Sequence, residues 1–203
     1  MLCKTFALLF LGAIAIPSLQ ATVLYGNYGS AMPGGGGQAK LSNTYGAVRM
    51  VATGSGSLSS ITTWLDDETN AVATTAALYS DTAGEPGALL ESWTLNIPFG
   101  NGFTWVPTTL TSLADPTITA GSTYWFVITN PGTSTTYWER DDQGDKLGWW
   151  SGSTLTALAG VAVGSKAQLG IELDGTTSTP EPTTFALLAL GLPVLWRLRR
   201  ARA

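Results

Sequence analysis

Three aspartates lie around a glycine in the segment ERDDQGDK, residues 139–146, and could bind a metal ion. Calcium takes several carboxylate and carbonyl oxygens from a turn-rich loop, and Gly144 permits the sharp turn that such a loop needs. The spacing lacks the glutamate that closes an EF-hand loop. It therefore favours a solvated turn, and it leaves calcium as the alternative, with Asp141, Asp142 and Asp145 as the ligands.

Glycoside hydrolysis is the catalysis that the carboxylates of this chain could support. It requires two carboxylates across a cleft, about 5 Å apart or about 6.5–9.5 Å apart. Glu91, Glu139 and Glu172 are the candidates, and no motif distinguishes them from surface groups. Histidine is absent and the one cysteine, Cys3, lies in the N-terminal apolar segment, which excludes Cys/His zinc sites and Ser–His catalysis. The sequence thus predicts no enzymatic activity and no cofactor other than calcium.

Eight tryptophans point to a second chemistry, because sugar faces stack on flat aromatic rings. Trp138, Trp149 and Trp150 flank the acidic loop and could form a platform with polar neighbours. Four others lie on strand patterns and are expected in the core: Trp64, Trp93, Trp105 and Trp125. The sequence therefore predicts glycan binding through residues 138–150 as an alternative function.

The formal net charge of −4 conceals a strongly acidic body. Residues 22–179 contain 13 acidic and five basic side chains, whereas four arginines follow Trp196. Because an acidic surface repels phosphate groups, we expect no nucleic-acid partner.

Short strand-like runs recur between residues 45 and 173, separated by Gly, Pro, Asn and Asp. The runs are 46–53, 57–65, 71–80, 89–97, 102–110, 122–130, 135–140 and 167–173. Away from the two ends, no stretch longer than two turns has the period of a helix. The pattern predicts an all-β fold, an antiparallel β-sandwich of jelly-roll type.

Two of these runs also indicate where their strands lie in a sheet. The run YWFVI at 124–128 is apolar on both faces, which is typical of a central strand. Alternation in 89–97 places Leu89 and Trp93 on one apolar face. Glu91 is the exception on that face, so we expect it near a sheet edge.

The two ends of the chain are typical of targeting segments. Residues 1–21 have a positive start at Lys4, an apolar run over 6–16 and a small residue at Ala21, the pattern of a secretory signal peptide. Such a segment would direct the chain to the Sec machinery. The domain that follows is expected to cover 22–175.

The C-terminal segment 176–203 joins a polar linker to an apolar helix, predicted over 184–196, and a basic end. The uninterrupted apolar stretch Phe185–Trp196 covers only about 18 Å of a hydrocarbon core about 30 Å thick. Pro193 weakens the helix further, so the segment predicts a transient membrane anchor. Four arginines would hold its end on the cytoplasmic side: Arg197, Arg199, Arg200 and Arg202.

The tail resembles the PEP-CTERM sorting signal of Gram-negative bacteria. The resemblance rests on the triplet Pro180, Glu181 and Pro182, the hydroxyl residues after it, the apolar helix and the terminal arginines. It implies Sec export and processing near the triplet by exosortase, a membrane enzyme of bacteria that make extracellular polysaccharide. A looser link of such tails to ice-binding proteins also exists.

Residues 23–173 are similar to the choice-of-anchor R domain, an extracellular domain that is joined to varied anchoring tails. The matching elements are VLYGNYG (23–29), Leu78-Tyr79-Ser80, a turn at Glu85-Pro86-Gly87 and the strand start Gly121–Trp125. The resemblance implies an extracellular β domain and says nothing of activity, because that family is named for its attachment.

Together these patterns predict a non-enzymatic exported protein. It would begin as a precursor tethered to the inner membrane and end at the cell surface or in the extracellular matrix. The alternatives are a module that binds matrix polysaccharide and a calcium-dependent or ice-binding adhesive protein.

Overall fold

The computed structural model describes residues 18–27, 38–42, 44–67, 74–95, 97, 106–131, 135–141, 149–161 and 168–179. The chain divides into two compact units, one being Ala21–Thr177 and the other Met1–Gln20 with Ser178–Ala203. Among the described residues, no helix is both long enough and apolar enough to span a membrane. The predicted apolar helix over 184–196 and most of the predicted signal peptide lie outside the described residues, and Ser18–Gly26 forms a strand.

Within the described ranges the chain forms fourteen strands and one 3₁₀ turn, Leu155–Ala157. The first seven strands are β1 (Ser18–Gly26), β2 (Gln38–Leu41), β3 (Thr44–Val51), β4 (Gly56–Asp67), β5 (Thr74–Thr82), β6 (Glu85–Leu95) and β7 (Val106–Thr111). The others are β8 (Thr117–Ile118), β9 (Thr123–Asn130), β10 (Thr136–Asp141), β11 (Trp149–Gly152), β12 (Ala159–Val161), β13 (Gln168–Leu169) and β14 (Ile171–Thr179).

The strands form two antiparallel sheets. The eight-stranded sheet has the order β1-β14-β4-β10-β13, with β2 paired to β10 and with β7 and β8 paired to β4. The six-stranded sheet has the order β12-β11-β3-β9-β5-β6. The predicted all-β fold with antiparallel strands is therefore confirmed.

The larger hydrophobic cluster of the described residues receives side chains from both sheets, as a β-sandwich requires. Strand β9 contributes Phe126 and Ile128 from the six-stranded sheet, and β4 contributes Ile61 and Leu65 from the other. The ring of Phe126 meets that of Trp138, on β10, edge to face at 5.7 Å. Aromatic pairs in this geometry are worth about 0.5–1.5 kcal/mol beyond their burial, so this contact helps to hold the two sheets together.

Strand β9 is buried on both of its faces, which confirms the predicted central strand. The face away from the main core carries Trp125 and Val127, which form a second, smaller cluster with Ala47 of β3. Leu155 and Leu158, at the 3₁₀ turn, pack against that cluster. The outer face of the six-stranded sheet is therefore covered around Trp125 and Val127.

A β-bulge in β6 changes the face on which two leucines lie. Leu78 pairs with Glu91 whereas Tyr79 pairs with Leu89, so Leu90 is an extra residue in β6. Leu89 is consequently 56% exposed, and Leu90 packs against the main core. The prediction that Leu89 lies on the apolar face is wrong for this reason. The expectation that Glu91 lies near a sheet edge is confirmed, because β6 is an edge strand.

The hairpin between β5 and β6 turns at Ala83 and Gly84, which have φ angles of 56° and 88°. Two consecutive positive φ values are typical of the type I′ turn, which suits the twist of a two-residue hairpin. The predicted turn at Glu85-Pro86-Gly87 is wrong, because these residues already belong to β6. Pro86 lies near the start of this edge strand, where a missing N–H is tolerated.

Candidate functional site

The outer face of the eight-stranded sheet is rich in hydroxyl groups. Successive side chains of a strand point to opposite faces, and Ile61 and Leu65 of β4 point into the core. Ser60, Thr62 and Trp64 therefore point outward, and each of them is half-buried. Strand β4 thus supplies the centre of this face.

The neighbouring strands extend the face in regular ranks. Thr62 lies between Thr109 of β7 and Glu172 of β14. The Oγ1 atoms of Thr62 and Thr109 are hydrogen-bonded at 3.2 Å, in an exposed pair. Trp64 lies opposite Pro107 in the next rank.

Two further ranks repeat the pattern toward the start of β4. Ser60 lies between Thr111 and Asp174, and beyond a bulge Ser57 lies between Thr117 and Thr176. We call this surface the hydroxyl face. Its members are Ser57, Ser60, Thr62, Trp64, Pro107, Thr109, Thr111, Thr117, Glu172, Asp174 and Thr176.

A second aromatic side chain continues the hydroxyl face past Trp64. Tyr137 of β10 lies opposite Asp66, two residues along β4 from Trp64. Trp138 and Leu65 face the core, so Tyr137 and Asp66 lie on the opposite side of the sheet, where Asp66 is nevertheless fully buried. Tyr137 is half-buried, and its other strand neighbour is the exposed Lys40 of β2.

The hydroxyl face is acidic. Burial raises the pKa of Glu172, and the nearby charge of Asp174 raises it further. The four strands β4, β7, β8 and β14 contain no basic residue. Hydroxyl groups can donate and accept hydrogen bonds, and ionised carboxylates accept only. The face can therefore bind a ligand that has many hydroxyl groups and an apolar ring face.

The outer face of the six-stranded sheet has a different chemistry around Asp81, which lies near the end of β5. Asp81 Oδ1 accepts a hydrogen bond from Trp125 Nε1 at 2.8 Å, and Oδ2 accepts one from the Gly84 N–H at 3.1 Å. Arg49 Nε lies 3.4 Å from Oδ1, an ion pair that lacks hydrogen-bond geometry. Burial raises the pKa of Asp81, but these three partners outweigh it and hold that pKa below its ordinary value.

A small open cavity of about 130 Å³ is lined in part by Gly84 and Trp125, the hydrogen-bond partners of Asp81. It lies between the β5–β6 hairpin and the 3₁₀ segment, and its walls include Glu85, Pro86, Trp125 and Thr156. Ligand pockets for drug-sized molecules usually measure about 300–1,000 Å³, so this cavity is too small for such a ligand.

Glu91, one of the candidate catalytic carboxylates, has a structural role. Its Oε2 accepts a hydrogen bond from Ser112 Oγ at 2.5 Å, and its Oε1 accepts the N–H groups of Leu113 and Ala114 at 2.6 and 3.2 Å. Only 8% of Glu91 is exposed. It therefore ties β6, in one sheet, to the loop that follows β7, in the other.

Trp138, one of the three predicted platform tryptophans, does not lie on the surface. The side chain of Trp138 is fully buried, and its indole N–H donates to the carbonyl of Gly170 at 3.1 Å. Trp138 faces the core because it alternates with Tyr137 on β10, so it cannot stack on a ligand. Trp149 and Trp150 lie on β11, and their side chains are outside the described residues.

The other predicted core tryptophans divide into two groups. Trp125 is 1% exposed, as expected of a core residue. Trp64 and Trp93 are only half-buried, and the indole N–H of Trp93 donates to the carbonyl of Thr111 at 2.9 Å. Trp105 is outside the described residues.

The predicted calcium ligands fall mostly outside the described residues. Asp141 is the last residue of β10, and Asp142 and Asp145 are not described. Among the described residues, no group of three or more His, Cys, Asp or Glu side chains could hold a metal ion. The sorting triplet and the terminal arginines also lie outside the described ranges.

The hydroxyl face was missed from the sequence, although part of its signal was visible. Alternating hydroxyl and apolar residues occur in β4 and again in β7. Each run alone is ordinary for a strand, and only the pairing of β4 with β7 and β14 aligns them.

No protein-family model matches this chain, and a search of curated proteins finds no significant match.

Proposed function

We propose that this chain is a non-enzymatic surface protein, exported and then delivered to the envelope or extracellular matrix of a Gram-negative bacterium. The observation that carries the proposal is the three-part tail, with its triplet Pro180-Glu181-Pro182, its apolar segment 184–196, predicted as a helix, and its basic end 197–203. Residues 1–21 act as the signal peptide for the Sec machinery, and exosortase cuts near the triplet. The domain between them is an extracellular β-sandwich of jelly-roll type.

The described part of the molecule supports a structural rather than a catalytic role. The buried carboxylate of Glu91 accepts three hydrogen bonds from its own chain. Its second candidate partner, Glu172, lies on the outer face of the eight-stranded sheet and not across a cleft from it. A pair of carboxylates that flank a bound sugar is the requirement for glycoside hydrolysis, and these two do not meet it.

Replacement of Pro180, Glu181 and Pro182 by alanine tests the sorting proposal. We expect an unprocessed precursor that stays in the inner-membrane fraction, whereas the wild-type protein reaches the surface or the medium. A matched control replaces Thr177, Ser178 and Thr179, just before the triplet, by alanine and should be processed normally. Unchanged processing and release of the triplet variant would contradict the proposal.

A second candidate function is binding of extracellular polysaccharide. The observation that favours it is the hydroxyl face, which brings aromatic, hydroxyl and carboxylate groups together on one side of the eight-stranded sheet. Calcium-dependent and ice-binding adhesion are further alternatives from the sequence, which calcium titration and measurement of ice growth would test.

A further inference from the structure

We propose that the hydroxyl face, together with Tyr137, binds an extended chain of a neutral polysaccharide. The inference rests on the proposed extracellular location, where such polymers are available. It assigns binding to the outer side of β4, β7, β10 and β14 rather than to the segment around Trp149 and Trp150. The argument depends on stacking, on the hydroxyl ranks and on charge.

Stacking is provided by Trp64 and Tyr137. Both side chains are half-buried on the outer face, and they lie in successive ranks of β4 and its neighbours. Ranks along a strand are spaced by two residues, which is about 6.8 Å. Aromatic rings at such intervals present apolar surface to successive sugar rings of one chain, and the exposed Pro107 beside Trp64 adds to that surface.

Hydrogen bonding is provided by the ranks that follow Trp64. Thr109, Thr62 and Glu172 form one rank, and the next contains Thr111, Ser60 and Asp174. Neighbouring strands lie about 4.8 Å apart, so each rank presents a row of polar groups at about that interval. Because hydroxyls both donate and accept, they match sugar hydroxyls in either orientation.

Charge selects among the possible polysaccharides. Glu172 and Asp174 lie on the face, and its four central strands carry no basic residue. Lys40 lies opposite Tyr137, at the far end. An acidic polysaccharide would therefore be repelled over most of the face, whereas carboxylates accept hydrogen bonds from the hydroxyls of a neutral one. Two carboxylates in adjacent ranks also interrupt the uncharged array that contact with ice would use.

The test follows tryptophan fluorescence of the purified full-length protein during titration with oligosaccharides of six sugars. The probes are β-1,4-linked glucose as the neutral chain, alginate as the acidic chain and chitosan as the basic chain. We expect saturable binding of the neutral probe. Trp64→Ala should weaken it by about tenfold or more, the loss expected of a central aromatic contact.

A shape-preserving variant keeps the proposal testable if Trp64→Ala fails to fold. Thr62→Val with Thr109→Val removes two hydroxyls, and we expect it to weaken binding by about three- to tenfold. The matched control is Thr75→Val with Thr94→Val, an exposed cross-strand pair of the six-stranded sheet, which should bind as the wild type does.

Several outcomes would overturn the proposal. These are no binding of the neutral probe, equal binding by the Thr62/Thr109 variant and its control, preferential binding of alginate or chitosan, or inhibition of ice growth that the Thr62/Thr109 variant abolishes. All of these outcomes are measured on purified protein. Failure here is therefore distinct from failure of the sorting proposal, which is read from processing and location.

Discussion

The two sheets of this protein share a core but differ on their outer faces. The outer face of the six-stranded sheet is covered around Trp125 and Val127, because Leu155 and Leu158 pack on the cluster that contains them. The outer face of the eight-stranded sheet is lined by half-buried or exposed hydroxyl groups, carboxylates and Trp64.

The polar side chains of the two faces differ in their surroundings. Around Trp125, the polar groups bind one another, since Asp81 accepts from both Trp125 and Gly84 and pairs with Arg49. On the hydroxyl face, the polar groups lie in ranks that face outward. Residue type alone does not reveal this, because both faces carry a tryptophan and a carboxylate.

The largest expected loss of stability is that of Trp125→Ala, which is compared with the loss caused by Trp64→Ala. Trp125→Ala removes a side chain that is 1% exposed, and such changes cost about 3–5 kcal/mol. Trp64→Ala should cost roughly half as much, because part of its ring already faces solvent. Urea unfolding of both variants measures the free energies. Equal losses would show that the two faces are covered to the same extent.

A smaller effect is expected from Glu91→Gln, compared with Glu172→Gln. The first change replaces a buried acceptor of three hydrogen bonds by an amide with one acceptor oxygen, and hydrogen bonds to charged groups are worth about 1.5–3 kcal/mol. The second removes a charge that Asp174 repels, so stability at neutral pH should stay equal or rise slightly. Urea unfolding at pH 7 gives both values, and a stable Glu91→Gln protein would contradict the structural role.

The smallest effect is in the pH dependence, where the two faces should respond in opposite directions. The pKa of Asp81 is lowered in the folded state, so its contribution to stability is present above its unfolded pKa of about 3.9 and is lost as pH falls through the folded value. The pKa of Glu172 is raised, so its contribution is complete below the unfolded pKa and is lost as pH rises through the folded value.

Unfolding measured between pH 6 and pH 2.5 checks these signs with Asp81→Asn and Glu172→Gln. Asp81→Asn should show a shallower loss of stability in acid than the wild type. Glu172→Gln should show a slightly steeper one, since the compensating gain on acidification is removed. Identical slopes for all three proteins would mean that neither carboxylate is perturbed by its surroundings.

Local pattern was sufficient to predict the class of fold and the position of its central strand. The run 124–128 is apolar on both faces, and β9 is indeed buried on both. The alternation of apolar residues gave a wrong prediction for Leu89, because the β-bulge at Leu90 places Leu89 on the solvent side. Nothing in the sequence of β6 marks that insertion.

The candidate site required information that a linear pattern does not hold. Thr62 and Thr109 are 47 residues apart in sequence, and their contact depends on the register between β4 and β7. The same limitation explains the error at Trp138, whose burial follows from the face that β10 turns toward the core. Its position beside the acidic loop predicts Trp138 as a ligand-binding residue. The strand pairing instead places its neighbour Tyr137 on the outer face.

The construction of β6 also affects self-association. This strand is eleven residues long and forms one edge of its sheet, which is the arrangement that recruits strands from other molecules. Pro86 removes one N–H from that edge, and the bulge at Leu90 interrupts its regular twist. Both features oppose edge-to-edge pairing of β6 with a strand of another molecule.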